Sequence, residues 1–172
     1  MASSAHLVRR FFGSLRPGGP AEADAAWADE RLLPAEARLW ARMSGPDRRH
    51  AVVAARRVER ALGDEATRPV LAAALLHDVG KVESGLRTYG RVIATLSARA
   101  VGHEMADSWR RQRGFARRVG LYLHHDRIGG DLLELAGSDP VTVAWTREHH
   151  QPEDTWTLPR RIADALKAAD DD

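Results

Sequence analysis

Apolar residues recur along this chain at three- and four-residue intervals, and over no useful length do they alternate with a period of two. The pattern predicts an all-α fold. The most apolar stretch, Pro69 to Leu76, reads as the core of a buried central helix over 67–78 that stops at Gly80. Ahead of it, Val52, Val53, Ala55, Val58 and Leu62 build one face of a helix over 46–62, with arginines and Glu59 on the other side. Ser44-Gly45-Pro46-Asp47 is a stop followed by a capped restart. Pro34 opens an earlier helix that runs through Trp40 and Met43, in a first-turn position that needs no amide donor. Downstream, the spacing predicts helices over 88–100, 103–111, 115–124, 127–136, 140–150 and from 159 to the end. Gly137 closes one of these, and Asp139-Pro140 caps and opens the next.

At the N-terminus, residues 5–15 read as a short amphipathic helix, cut off by Arg16-Pro17-Gly18-Gly19-Pro20. We therefore divide the chain into an N-terminal helical extension and linker, 1–33, and a main domain, 34–172. Phe11, Phe12 and Trp27 give the extension something to pack with. A chain of 172 residues suits one main domain. No stretch of about 18 apolar residues and no signal-peptide core occurs, so the expectation is a cytoplasmic protein with no membrane partner.

With no cysteine, disulfides and thiolate ligands are excluded, and any metal must sit among nitrogen and oxygen donors. Lys81 and Lys167 are the only lysines, the net charge is +2, and no single run is strongly basic, so the signal for nucleic acid is weak. Arginine pairs such as Arg48/Arg49, Arg56/Arg57 and Arg117/Arg118 read as solvated helix faces, with phosphate binding as the alternative. Trp40, Trp109, Trp145 and Trp156 read as packing residues rather than base-stacking platforms.

The chemistry begins at His77-Asp78. Two polar residues ending so apolar a helix are costly to bury unless each meets a strong partner, and a metal ion is one. Adjacent helix residues point about 100° apart, so such a step suits one ion held between the two side chains, or an Asp bridging two ions. Alone the dipeptide is a weak signal. The same chain also carries His50, His124-His125, His149-His150, Asp164 and Asp170, and seven of its eight histidines lie at or beyond residue 50. Asp164 and Asp170 are separated by about 120° of net helical rotation, so both do not face one ion; the Ala168-Ala169-Asp170 context favours Asp170. His124 and His125 compete for one role; the Gly129 spacing favours His125, and His124 reads as exposed. His103, in Gly102-His103-Glu104, is a rival to the late histidine pair.

This order, His50, then Leu76-His77-Asp78-Val79-Gly80-Lys81, then Asp170, resembles the HD superfamily of metal-dependent phosphohydrolases. His125-Asp126-Arg127-Ile128-Gly129 and Glu148-His149-His150 are similar to steps of its HD-GYP branch, although Gln151-Pro152-Glu153 follows where that branch carries Gly-Tyr-Pro. The resemblance spans about residues 45–172. It implies an HD-type helical bundle in which His50, His77, Asp78 and Asp170 bind one metal. Asp78 would bridge to a second held by His125, His149 and His150, with Asp78 and Lys81 as the catalytic pair. One or two divalent ions (Mn, Fe, Ni, Co or Zn) are implied. So is hydrolysis of a phosphomonoester or phosphodiester in a small, nucleotide-like substrate by a metal-activated hydroxide. The missing Gly-Tyr-Pro leaves open a second reading, an inactive regulatory module that binds metal or nucleotide.

Overall fold

The computed structural model describes residues 18–86, 90, 108–109 and 111–171. Among these residues the chain is helical and contains no strand. The predicted helices over 5–15 and 88–100, most of that over 103–111, and His103, Phe11 and Phe12 lie outside the described residues.

The helices are α1 (Glu22–Asp29), α2 (Pro34–Arg42), α3 (Gly45–Leu62), α4 (Arg68–Leu76), α5 (Lys81–Ser84), α6 (Gly114–Leu123), α7 (His125–Leu135), α8 (Pro140–Glu148) and α9 (Arg160–Asp171). Their starts follow local chemistry. Pro34 is the first residue of α2, and the Glu36 carboxylate accepts the Leu33 amide at 2.8 Å. Ser44 caps α3 by accepting the Asp47 amide, and Asp139 caps α8 by accepting the Val141 amide at 2.9 Å. Gly137, at a φ of 72°, lets the chain turn between α7 and α8.

Helix α4 is the centre: every residue from Val70 to Leu76 is buried. At about 2 kcal/mol for each large aliphatic side chain removed from water, this one helix supplies a major part of the driving force for folding. Helices α3 and α8 pack on either side of it, α9 covers α3, and α7 covers α8. On α3 the core stripe is Ala51, Val52, Ala54, Ala55, Val58 and Leu62. Val53, placed in that stripe by its apolar character, is instead 48% exposed, because one residue beyond Val52 the helix has turned by about 100°.

Helix α1 carried no sequence expectation. Its Ala21 makes no side-chain cap, yet Trp27 and Ala28, with Leu32 beyond the helix, join the same core as α3 and α4. The Trp27 ring lies between the guanidinium groups of Arg31 and Arg56, at 4.1 and 3.8 Å from its centroid. Trp40 and Trp145 are core residues. Trp156 meets Trp145 edge-on at 5.5 Å, and Trp109 packs on a small separate cluster of Leu86 and Val119. No helix among the described residues is long and apolar enough to cross a membrane.

Candidate metal centre

The packing brings one end of the bundle together. His50 lies in the second turn of α3, and His77-Asp78 follow directly on α4. His125 opens α7, His149-His150 follow directly on α8, and Asp170 lies in the last turn of α9. The C-terminal ends of α4, α8 and α9 meet the N-terminal ends of α3 and α7 at one place, so the helix dipoles oppose one another there and the side-chain ligands decide the site's charge.

Two groups of ligand atoms result. His50, His77 and Asp170 form one; Asp78, His125, His149 and His150 form the other; within each group the atoms lie within 4.8 Å of one another. In the first, Asp170 Oδ1 is 2.9 Å from His50 Nε2 and 3.4 Å from His77 Nε2. In the second, Asp78 Oδ1 is 3.2 Å from His125 Nε2 and 4.0 Å from His149 Nε2, and His150 Nε2 is 3.3 Å from His125 Nε2. The two oxygens of Asp78 point different ways, since Oδ2 lies 3.5 Å from His77 Nε2 and pairs with the Lys81 ammonium. Asp78 thus joins the groups. Ligands held about 2.1 Å from one ion stand about 3 Å apart when adjacent and about 4 Å apart when opposite, the range seen here.

The imidazoles are oriented by one repeated device. His77, His125 and His149 each donate Nδ1–H to the carbonyl three residues earlier: Ala74 at 3.0 Å, Tyr122 at 2.8 Å and Thr146 at 2.9 Å. A carbonyl only accepts, so Nδ1 carries the proton and Nε2 faces the cluster. The buried Nε2 atoms of His77 and His149 have no hydrogen-bond partner among the described residues. Buried polar atoms without partners are costly and call for an explanation. A divalent ion accepts such lone pairs directly, and the all-nitrogen-and-oxygen donor set suits Mn, Fe, Co, Ni or Zn.

Charge divides unevenly across the cluster. Burial lowers the His77 pKa, but the Asp78 and Asp170 carboxylates outweigh it and push the imidazole up to about 9. Burial also works against an ionised Asp78, yet Lys81, His77 and His125 hold its carboxyl well below the ordinary range. Burial, together with the neighbouring imidazoles of His150, His77 and His125, keeps His149 neutral. Because the folded-state pKa of His77 is raised above the ordinary value of 6.5, its contribution to stability is fully present below pH 6.5 and is lost as pH rises through about 9. Chelator-treated protein should therefore melt at progressively lower temperature across that window. Metal-loaded protein, with the His77 lone pair engaged, should not. A flat melting temperature for the chelated protein would count against this charge assignment.

Other residues singled out above fall elsewhere. Asp164 is exposed and pairs with Arg160 at 2.8 Å, away from both groups. His124 is half-buried rather than exposed, because it sits at the break between α6 and α7 and its Nδ1 bonds the Gly120 carbonyl at 2.9 Å. Lys81 begins α5 and is paired with Asp78 beside both groups. Two contributors escaped notice in the sequence, the Tyr122 side chain and the close passage of Gly80 beside α7. Gly80 and Gly129 were visible only as motif letters.

The fold and site together define an all-helical bundle with a largely buried His/Asp cluster able to hold metal. No family model, no curated protein and no solved structure matches this chain.

Proposed function

We propose that this chain is a metal-dependent phosphohydrolase of the HD type, cleaving a phosphomonoester or phosphodiester bond in a small, nucleotide-like substrate. The reading rests on one observation: seven imidazole and carboxylate ligand atoms, from His50, His77, Asp78, His125, His149, His150 and Asp170, gather in two groups joined by the His77-Asp78 step. His50, His77 and Asp170, with Asp78, would hold one divalent ion; His125, His149 and His150, with the other oxygen of Asp78, would hold a second. Such ions, when bound, acidify water and polarise a phosphoryl oxygen. The protein's own groups do the rest. The backbone carbonyls aim the imidazoles, Asp78 keeps the two halves in register, and Lys81 offers its ammonium to the negative charge of a phosphate. His150 is exposed at the rim, so a substrate reaches the cluster from that side. A nucleotide substrate would accord with a cytoplasmic location.

The test is hydrolysis of nucleotides and cyclic dinucleotides by protein reconstituted anaerobically with Mn or Fe. Asp170→Ala should lower turnover by at least about 100-fold, while Asp164→Ala stays within about twofold because its exposed carboxylate pairs with Arg160, away from both ligand groups. Equal effects of the two substitutions would exclude this ligand set. The alternative, a regulatory module without turnover, is favoured by the Gln151-Pro152-Glu153 sequence that follows His150; it predicts metal binding with no product for any substrate.

A further inference from the structure

The candidate ligand His125 differs from His77 and His149 in its surroundings. Those two are set in the main core. His125 starts α7 immediately after α6, and α6 packs mainly on α5 and α7 rather than on the central helix. Its backbone bond to the Tyr122 carbonyl sets the tautomer, and its Nε2 meets Asp78 Oδ1 and His150 Nε2, so these polar contacts hold the ring by its two nitrogens. A ring packed alongside the imidazole adds hold on its plane. Tyr122 supplies it: its ring stacks on the His125 imidazole, with centroids 5.7 Å apart and planes inclined by 24°.

The same ring is itself held. It packs on Leu86 and Val119 in the small cluster between α5 and α6, and the Lys81 ammonium lies over it at 5.9 Å from the centroid. Lys81 and His125 are the two groups that approach Asp78 from this side. One aromatic ring thus lies beside both neighbours of the carboxylate.

We propose that Tyr122 is a positioning residue of the metal centre, whose ring, not its hydroxyl, fixes the plane of the His125 imidazole and so the geometry of the second ion. This rests on the metal-binding reading. It requires no contact between Tyr122 and the ion; the effect passes through His125.

The test uses Co(II) as a spectroscopic probe with wild type, Tyr122→Phe, Tyr122→Leu and Tyr122→Met, with Leu62→Ala as a packing control in the main core, away from Tyr122. Tyr122→Phe should keep the wild-type ligand-field spectrum and affinity. Tyr122→Leu, or Tyr122→Met if the leucine variant fails to fold, should bind the second Co(II) about 10- to 100-fold more weakly, with an altered visible spectrum. Leu62→Ala should lower the melting temperature and leave the spectrum unchanged. A wild-type spectrum and affinity in the folded ring-deleted variant would overturn the role of Tyr122 alone. Loss of binding in Tyr122→Phe as severe as in Tyr122→Leu would move the effect to the hydroxyl and overturn the ring. Wild-type protein that takes up no Co(II) would overturn the metal centre itself.

Discussion

Replacing Asp78 with alanine is expected to cut bound transition metal from about two ions per chain to fewer than one, and to abolish stabilisation by added metal. The two carboxylate oxygens of Asp78 face different groups: Oδ1 approaches His125 and His149, Oδ2 approaches His77. Without it, the second group keeps only three imidazoles, one of them on the exposed His150, and the first loses a charged neighbour. Ligand linkage makes the effect readable as stability. Metal at 100 times its dissociation constant stabilises the fold by about 2.7 kcal/mol, roughly 5 to 10 °C in melting temperature for a chain of this size. Wild type should show that shift and Asp78→Ala should not. The variant also carries a metal-independent cost. Lys81, its side chain 13% exposed, loses its paired carboxylate, and the buried His77 keeps only Asp170 of its two carboxylate neighbours; an uncompensated buried charge costs about 3 kcal/mol. Asp78→Asn preserves the shape and separates the two effects: it should retain more of the fold while still failing to bind two ions. Full metal content in Asp78→Ala would exclude the bridging role.

Why these residues were legible in sequence, and others not, follows from the range of the signals. His77 and Asp78 stood out because a polar step ends seven consecutive buried residues, and that contrast is local. Asp170 was separable from Asp164 because the helical repeat alone puts them on different faces. The caps at Ser44 and Asp139 and the proline at Pro34 are likewise local chemistry, and α2, α3 and α8 begin within a residue of their predicted starts. What stayed hidden depends on tertiary contact. Helix α1 has neither a capping side chain nor a strong apolar stripe, and its place in the core comes from Trp27 and Ala28 meeting the bundle. The four-residue α5 is too short for periodicity to register. Val53 was misplaced because β-branched and apolar character does not say which side of a helix faces the core. The repeated imidazole-to-carbonyl bond is local in sequence, three residues back each time, but a carbonyl belongs to every residue and leaves no mark in the letters.

Gly80→Ala is expected to break the site while leaving the helices intact. Gly80 sits in a right-handed conformation, φ −62° and ψ −17°, so alanine meets no backbone strain there. Space is the constraint. A Cβ on Gly80 would fall 1.9 Å from the His125 carbonyl oxygen and 2.6 Å from the Gly129 amide nitrogen, contacts that real atoms do not tolerate. Both are backbone atoms of α7, so relief requires the turn after α4 to separate from α7. That turn carries Asp78, and α7 begins with His125; their ligand atoms now lie 3.2 Å apart. Metal sites accept ligand distances only within about 0.2 Å of their preferred values, so a shift of about 1 Å at this junction removes the second ion even if the fold survives. Overpacking of this kind costs about 1 to 3 kcal/mol, or roughly 2 to 10 °C in melting temperature. Circular dichroism should show helix content close to wild type, with metal content falling toward one ion. Gly63→Ala is the informative comparison, because that glycine has a φ of 54° and open space around it. The variant should lose stability through backbone strain yet bind metal as wild type does. If Gly80→Ala bound two ions with unchanged affinity, the close passage of the turn beside α7 would not be what positions Asp78 against His125.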